Sequence, residues 1–215
     1  MDFTSIDIFT IIDIFLLLLI GIGPKIALVP FLELTAKLDN QVKGRVVRKM
    51  LTTASVTAVL LIVFGGLLTR LLHFSTGALA IAGGLILLVI SASMVLGQNG
   101  KEGGQHAMTA DDPMKLAVFP LAVPYLLNPA GIVVLVTLSA EAGSLGLLAI
   151  VILLVALVIG IDVVVFRLAK QVGAHLDESR MLVTEKVFGF LLAALAVQLA
   201  LDGLADLGVI HLIGH

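Results

Sequence analysis

The chain has 215 residues, of which 60% are hydrophobic and 13% are charged, and its mean hydropathy is +1.18. This composition excludes a water-soluble domain of that length and indicates an integral membrane protein. The formal net charge of -2 indicates no particular partner, and we expect no nucleic-acid ligand. Cysteine is absent, which excludes disulfides, thiol redox chemistry and thiolate metal sites.

Six apolar segments follow one another, each near the roughly 20 residues that a helix needs to cross about 30 Å of hydrocarbon. None alternates every second residue, as barrel strands do. Acidic residues, and no basic residue, precede the first segment, so we predict a retained span and no cleaved signal peptide. The predicted spans are Ile6 to Leu34, Leu51 to Leu72, Gly77 to Gly97, Leu116 to Ser139, Gly146 to Phe166 and Val187 to Leu204.

The basic residues favour one side of the membrane. If all six segments cross, eleven of the thirteen basic residues fall in the loops on one side, Arg70 lies opposite and Lys25 lies inside the first segment. The positive-inside rule then predicts that those loops are cytoplasmic and that both termini are outside. The eleven are Lys37, Lys43, Arg45, Arg48, Lys49, Lys101, Lys115, Arg167, Lys170, Arg180 and Lys186.

The two halves of the chain resemble each other. The polar stretch QNGKEGGQHAMTADDP predicts a flexible cytoplasmic linker over 98–113, between a first half at 1–97 and a second at 114–215. Each half holds three spans and opens with a proline-broken one, at Gly23-Pro24 and at Asn128-Pro129. Because each half has an odd number of spans, we predict two inverted three-helix repeats in an all-α membrane protein.

The broken spans predict a binding site. Proline lacks a backbone donor, so Pro24 and Pro129 each leave peptide groups without helical partners, and Pro120 and Pro124 extend the second irregularity. In hydrocarbon such groups are costly unless protein, water or ligand satisfies them. We predict that they bind a small polar solute near the midplane, the alternative being that the prolines only kink the helices. The candidate residues are Gly23, Pro24, Lys25, Asn128, Pro129 and Gly131.

Three charged residues lie within apolar segments. Lys25 either contacts a substrate carboxylate or pairs with an acid, or it extends its long stem toward the cytoplasmic interface. Asp13 and Asp162 are candidates for ion coupling. The alternative for Asp13 is an ordinary position near the outer interface, and for Asp162 we favour an interfacial salt bridge with Arg167.

Other motifs give little sign of chemistry. Neither a zinc-protease HExxH, a GxSxG elbow, a P-loop nor a GxGxxG is present, so we predict no enzyme, and no metal site or cofactor is indicated. The pairs Ala80 and Gly84, and Ala196 and Ala200, have the spacing that permits close helix contact, within the chain or in a homo-oligomer.

Four blocks of sequence, in this order, resemble the MarC family of bacterial inner-membrane proteins, a relative of the lysine-exporter superfamily. They are GPKIALVPFLELT, ALAIAGGLILLVISASMVLG, FPLAVPYLLNPAGI and KVFGFLLAALAVQLALDGL. The resemblance implies six spans, an inner-membrane location and transport, since some members are described as neutral amino-acid transporters. The family usually has Asn or Asp where this chain has Gly23, and a small or apolar residue where it has Lys25.

We therefore predict a secondary transporter of a small polar solute, a neutral amino acid. Its predicted partners are this solute and the lipid of the membrane that surrounds it. Because no nucleotide motif is present, an ion or solute gradient must drive it. Two alternatives stay open: a channel or exporter for another small solute or ion, and a membrane scaffold that transports nothing.

Overall fold

The computed structural model describes residues 8–96, 112–142, 145–172 and 178–211. Regular structure in these ranges is entirely helical, which confirms the all-α class. Most of the predicted linker, 98–111, lies outside the described residues. The helices are α1 (Ile8–Gly21), α2 (Pro24–Thr35), α3 (Asn40–Leu72), α4 (Thr76–Leu96), α5 (Pro113–Leu116), α6 (Pro129–Glu141), α7 (Leu145–Val172) and α8 (Glu178–Asp206), and a wide-turned irregular segment, Ala117–Leu126, joins α5 to α6.

Several of these helices are long and apolar enough to cross a membrane, as the sequence predicts. Within the described ranges there are five such spans, and the pair Pro113–Leu126 and Pro129–Glu141, bent by 69°, makes a sixth if it crosses as one. The five are Ile8–Leu34, Asn40–Leu72, Thr76–Leu96, Gly146–Ala169 and Lys186–Asp206.

The outer surface of the bundle is apolar. On α3, for example, the side chains of one face are buried in the core. Those of the opposite face are exposed, although many of them are also apolar. Such a surface is typical of a protein whose solvent is lipid, because hydrocarbon side chains need no burial there. The exposed side chains of α3 include Val56, Val59, Leu60, Val63 and Phe64.

The start of α3 differs from the prediction. The helix begins at Asn40, whereas the sequence analysis placed the start of the span at Leu51, so four basic residues expected in a loop are helical. Hydropathy detects only the membrane-embedded part of a helix, and Lys and Arg are good helix formers that continue it outward. At 1.5 Å per residue, its 33 residues extend about 50 Å, longer than the hydrocarbon core is thick. The four are Lys43, Arg45, Arg48 and Lys49.

Helices α4 and α8 pack closely and antiparallel. Gly77 of α4 lies against Gly203, and at the other end Gly189 of α8 lies against Val95. Between them, a Cβ built on Gly84 would lie 2.7 Å from the carbonyl oxygen of Ala196. The small residues therefore bring two backbones of the same chain together, as the predicted small-residue pairs permit.

The fourth segment runs along the first in the opposite direction. The irregular segment packs against α2, and α6 packs against α1. Phe119 and Val123 are extended inside the irregular segment because each precedes a proline, which disfavours helical dihedrals. At the far end of α6, Ser139 Oγ accepts a hydrogen bond of 2.8 Å from the backbone N–H of Gly66 in α3.

Replacing Gly84 with alanine is expected to lower the free energy of unfolding by about 1–3 kcal/mol, the usual cost of overpacking. The reason is that the new Cβ would press against the α8 backbone. Titration with a denaturing detergent, followed by circular dichroism, measures the change. Gly160→Ala is the matched control, since its Cβ would meet nothing within 4 Å. Equal losses in both variants would contradict the close α4–α8 contact.

Candidate functional site

The first interruption frees carbonyl groups at the end of α1, among them those of Ile20 and Gly21. Helix α1 ends at Gly21 and α2 begins at Pro24. In a continuous helix the N–H of residue 24 would bond to the Ile20 carbonyl, but proline has no N–H. Gly23 between the helices is extended, with φ -82° and ψ 159°, as expected for a residue before proline. The carbonyl groups of Ile20 and Gly21 therefore need partners from elsewhere.

The second interruption has the same backbone form. Asn128 precedes Pro129, the first residue of α6, and has φ -81° and ψ 167°. Its side-chain oxygen accepts a hydrogen bond of 3.0 Å from the N–H of Gly131, so Asn128 caps α6. Gly23 has no side chain with which to cap α2 in the same way.

The two interruptions meet inside the protein. The backbone N–H of Asn128 donates to the Gly21 carbonyl at 3.0 Å, and its side-chain Nδ2 donates to the Ile20 carbonyl at 2.8 Å. One asparagine, 0% exposed, thus satisfies the Ile20 and Gly21 carbonyl groups of the first span while it caps the helix of the fourth. We call the contact of Ile20, Gly21, Asn128 and Gly131 the break junction.

Two glycines allow this close approach. A Cβ built on Gly21 would overlap the backbone of Gly131, and one built on Gly131 would overlap the backbone of Gly21. Any side chain at either position would push the two segments apart and stretch the Asn128 hydrogen bonds. The junction thus depends on glycine at both positions.

The predicted substrate-binding residues take different positions around this junction. Asn128, Pro129 and Gly131 are buried in it, whereas Gly23 is buried and Pro24 half-buried directly after it. The Lys25 side chain is exposed on the surface of α2. Ile20 and Gly21 are not among the predicted binding residues. Gly21, the first glycine of the run GIGP, was nevertheless a visible signal in the sequence.

The two candidate coupling carboxylates lie in opposite environments. Asp13 is on the exposed face of α1. Asp162 of α7 is 0% exposed, and neither carboxylate oxygen has a hydrogen-bond partner among the residues that the structure describes. The favoured salt bridge with Arg167 is therefore wrong. Residues five apart on a helix point about 140° away from each other, and Arg167 is exposed while Asp162 faces inward.

Metal ligands do not cluster in the described part of the chain. No group of three or more His, Asp or Glu side chains there could hold a metal ion. Among the described residues, the buried polar side chains are those of Thr35, Ser91, Asn128 and Asp162. The hydroxyl groups of Thr35 and Ser91 donate to carbonyl groups of their own helices, which leaves the break junction and the Asp162 carboxyl group as the polar groups that concern function.

An all-helical bundle with an apolar outer surface and two interrupted segments in its interior defines a multi-pass integral membrane protein. The chain belongs to the MarC family of integral membrane proteins, whose family model matches residues 8–207. The resemblance noted from the four sequence blocks is thereby confirmed.

Curated relatives cover most of the chain. A UPF0056 membrane protein of Methanocaldococcus jannaschii is 29% identical over 184 residues, which is 85% of this chain and 90% of the relative. A UPF0056 membrane protein of Archaeoglobus fulgidus is 28% identical over 193 residues, 89% of this chain and 91% of the relative. The UPF0056 membrane protein YvbG of Bacillus subtilis is 26% identical over 193 residues, 86% of this chain and 90% of the relative. No solved structure matches the chain significantly.

Asn128→Ala is expected to lower the free energy of unfolding by about 1–3 kcal/mol, the usual cost of leaving a buried polar group unsatisfied. The variant removes the bond to the Ile20 carbonyl and the cap on Gly131. Detergent unfolding measures the loss. Gln198→Ala serves as control, because this exposed side chain bonds only to Asp202 one turn away among the described contacts. If Asn128→Ala were as stable as the control, the junction would not hold the two segments together.

Proposed function

We propose that the chain is a secondary transporter of a small polar solute, a neutral amino acid, across the bacterial inner membrane. One observation carries the proposal: buried Asn128 joins two interrupted membrane segments by donating hydrogen bonds to the Ile20 and Gly21 carbonyl groups. In a continuous helix these carbonyl groups would accept bonds from the next turn of the same helix. Residues that merely kinked a helix would leave no reason for a fully buried asparagine to bridge the two halves of the chain.

We further propose that 1–97 and 114–215 are inverted repeats joined by the linker 98–113. The residue before each break proline has nearly the same backbone dihedrals in both halves. The third and sixth spans, α4 and α8, pack antiparallel, and the fourth segment runs opposite to the first. These relations support an inverted repeat, in which each helix runs opposite to its counterpart.

The chemistry of the junction suits a zwitterion. The Ile20 and Gly21 carbonyl groups accept hydrogen bonds, as an ammonium group requires, and the Asn128 amide donates, as a carboxylate requires. The N-terminus of α2 adds a partial positive charge that Gly23 leaves uncapped. The proposed substrate-binding residues are Gly23, Pro24, Lys25, Asn128, Pro129 and Gly131, to which we add Ile20 and Gly21 because their carbonyl groups bond to Asn128.

Binding requires the two interruptions to separate. In the structure Asn128 occupies the carbonyl groups that a solute would use, so the solute must replace it. Each such hydrogen bond contributes about 0.5–1.5 kcal/mol net, so exchanging one partner for another changes the free energy little. A transporter needs such a balance, because its site must release the solute as well as bind it.

The proposed mechanism is alternating access. One repeat rocks against the other and opens the junction first to one side of the membrane and then to the other. The basic ends of the helices are cytoplasmic and both termini are outside, as the positive-inside rule implies. A gradient of an ion or solute drives the cycle.

Reconstituted vesicles test the proposed function directly. We expect counterflow of labelled solute with at least one member of a panel of neutral amino acids, and none with empty vesicles. A panel of other small solutes and ions, tested in the same vesicles, separates an amino-acid transporter from the channel or exporter alternative. Absence of flux for every solute, under proton and sodium gradients of both directions, would leave the scaffold as the function.

Pro24→Ala is expected to reduce the counterflow rate to the background of empty vesicles. Alanine supplies an N–H that can bond to the Ile20 carbonyl, so the first span becomes continuous and closes the proposed site. Pro113→Ala is the matched control, since Pro113 is also the first residue of a helix but lies far along the chain from the junction. Unchanged counterflow in Pro24→Ala would contradict a site at the break.

Lys25→Gln is expected to raise the KM for a zwitterionic substrate while kcat changes little. Lys25 directly follows the first proline of α2, next to the break. In the open conformation its ammonium group attracts the substrate carboxylate equally in the ground state and in the transition state of transport, so its loss weakens binding and leaves turnover unchanged. Concentration-dependent counterflow measures both constants. Lys37→Gln, an exposed lysine just after α2, controls for the loss of one positive charge. Equal KM values in the two variants would contradict a substrate contact.

A further inference from the structure

Asp162 interrupts an otherwise apolar stripe. The buried face of α7 includes Leu154, Val158 and Phe166, and Asp162 lies between the last two, about one helical turn from each. Its carboxyl group is 0% exposed, with no hydrogen-bond partner among the described residues for either oxygen. Buried polar groups without partners are rare in native proteins, and each one calls for an explanation.

An ionised carboxylate in this position would be costly. Removing an unpaired charge from water and placing it in an apolar interior is strongly unfavourable, and a protein avoids this by pairing or neutralising the group. A bound metal ion would need several oxygen or nitrogen ligands around it. Neither Asp162 oxygen has a hydrogen-bond partner among the described residues, and no three His, Asp or Glu side chains there are grouped as metal ligands. The ligand that fits this environment is a single proton.

The charged side chains of the surrounding helices do not compensate this group. Helix α7 packs against α1, α2, α3 and α6. The charged side chains these elements offer are exposed, except Glu33 and Lys43, which are half-buried. None of them is a hydrogen-bond partner of the Asp162 oxygens. They are Asp13 on α1, Lys25 and Glu33 on α2, Lys43, Arg45, Arg48, Lys49 and Arg70 on α3, and Glu141 on α6, together with Arg167 on α7 itself.

A cleft lies directly beside this stripe. It encloses about 580 Å³ between α3 and α7 and is partly open to the outside. Two arginines, Arg48 and Arg167, line it, and so do residues three before, one after and four after Asp162 on α7. Asp162 is therefore one layer behind the cleft wall. The lining residues of α7 are Ile159, Val163, Phe166 and Arg167.

An aromatic contact connects this stripe to the break. Phe166, one turn after Asp162, packs edge-on against Phe31 of α2, with ring centroids 5.3 Å apart and planes at 80°. Both rings are fully buried. Helix α2 begins at the break junction, so a shift of α2 against α7 changes the surroundings of Asp162 at the same time.

We propose that Asp162 is the proton-binding group that couples solute transport to a proton gradient, with the α3–α7 cleft as its path to water. While buried, as in the structure, the carboxyl group holds its proton. When α7 turns or separates from α3, the O–H bond breaks, the proton passes to water in the cleft, and the carboxylate pairs with Arg48 of α3. This inference rests on the proposed transport function and adds its driving ion.

A transport experiment separates coupling from binding. Asp162→Asn keeps the shape of the protonated side chain but cannot release a proton. In vesicles with a pH gradient, we expect it to lose gradient-driven accumulation of the solute while counterflow without a gradient persists. Asp39→Asn, an exposed acid directly before α3 whose side chain makes no capping hydrogen bond, is the matched control and should retain both activities. Accumulation by Asp162→Asn at the wild-type level, or dependence on sodium in place of protons, would overturn the proposal.

An infrared measurement tests the proton without any transport. At pH 7 ordinary aspartates and glutamates are ionised, so a protonated carboxylic acid gives a separate C=O stretching band that shifts in D₂O. We expect this band in the wild type, in Asp13→Asn and in Asp162→Glu, which keeps a carboxyl group, and not in Asp162→Asn.

The two experiments fail in different ways. A wild type without the band, or an Asp162→Asn variant that retains it, would overturn the proton site whether or not a substrate is known. If Asp162→Asn does not fold, an undiminished band in folded Asp162→Ala or its absence in Asp162→Glu decides the same question. A band assigned to Asp162 together with no flux of any solute would contradict the proposed transport function and leave the protonated group in place.

Discussion

The architecture depends on how the peptide groups freed at a proline find partners where there is no water. Pro24 has no N–H to donate to the Ile20 carbonyl, and the hydrocarbon of the bilayer has no hydrogen-bond donor either. Asn128, from the other half of the chain, donates to that carbonyl and to its neighbour on Gly21. Gly21 and Gly131 permit the approach because neither carries a side chain. The proposed site, the proposed inverted repeat and the proposed movement all follow from this exchange of partners between two broken segments.

Helices α4 and α8 form a second close contact in the bundle, and it is much longer than the junction. Helices α4 and α8 are in backbone contact through glycine and alanine along much of their length, an arrangement that leaves little room for sliding. The break junction is shorter: it consists of a few hydrogen bonds between the ends of half-helices. Helix α7 packs against α2, which begins at the junction, through Phe166 and Phe31. The proposed movement is therefore placed at the junction, where few hydrogen bonds have to change partners.

Much of this organisation could be predicted from the sequence, and the exceptions have physical causes. Hydropathy located the spans, but it missed the first eleven residues of α3 because charged helix formers continue a helix beyond the membrane. The prolines marked where peptide groups would be free, yet local sequence does not say which distant residue will satisfy them, so Ile20 and Gly21 were missed. For Asp162 the prediction placed the side chain on the wrong face of α7. The segment is apolar on all sides, so its pattern does not show which face is turned inward.

The most direct test of the account is whether the junction opens during transport. Because the chain has no cysteine, spin labels can be placed at two introduced cysteines, Leu34→Cys on α2 and Phe119→Cys on the irregular segment, both exposed positions. Pulsed electron resonance in vesicles then gives the distribution of distances between them. The account predicts two populations whose ratio shifts when a transported amino acid is added. A single distribution, unchanged by a solute that the same vesicles transport, would contradict it.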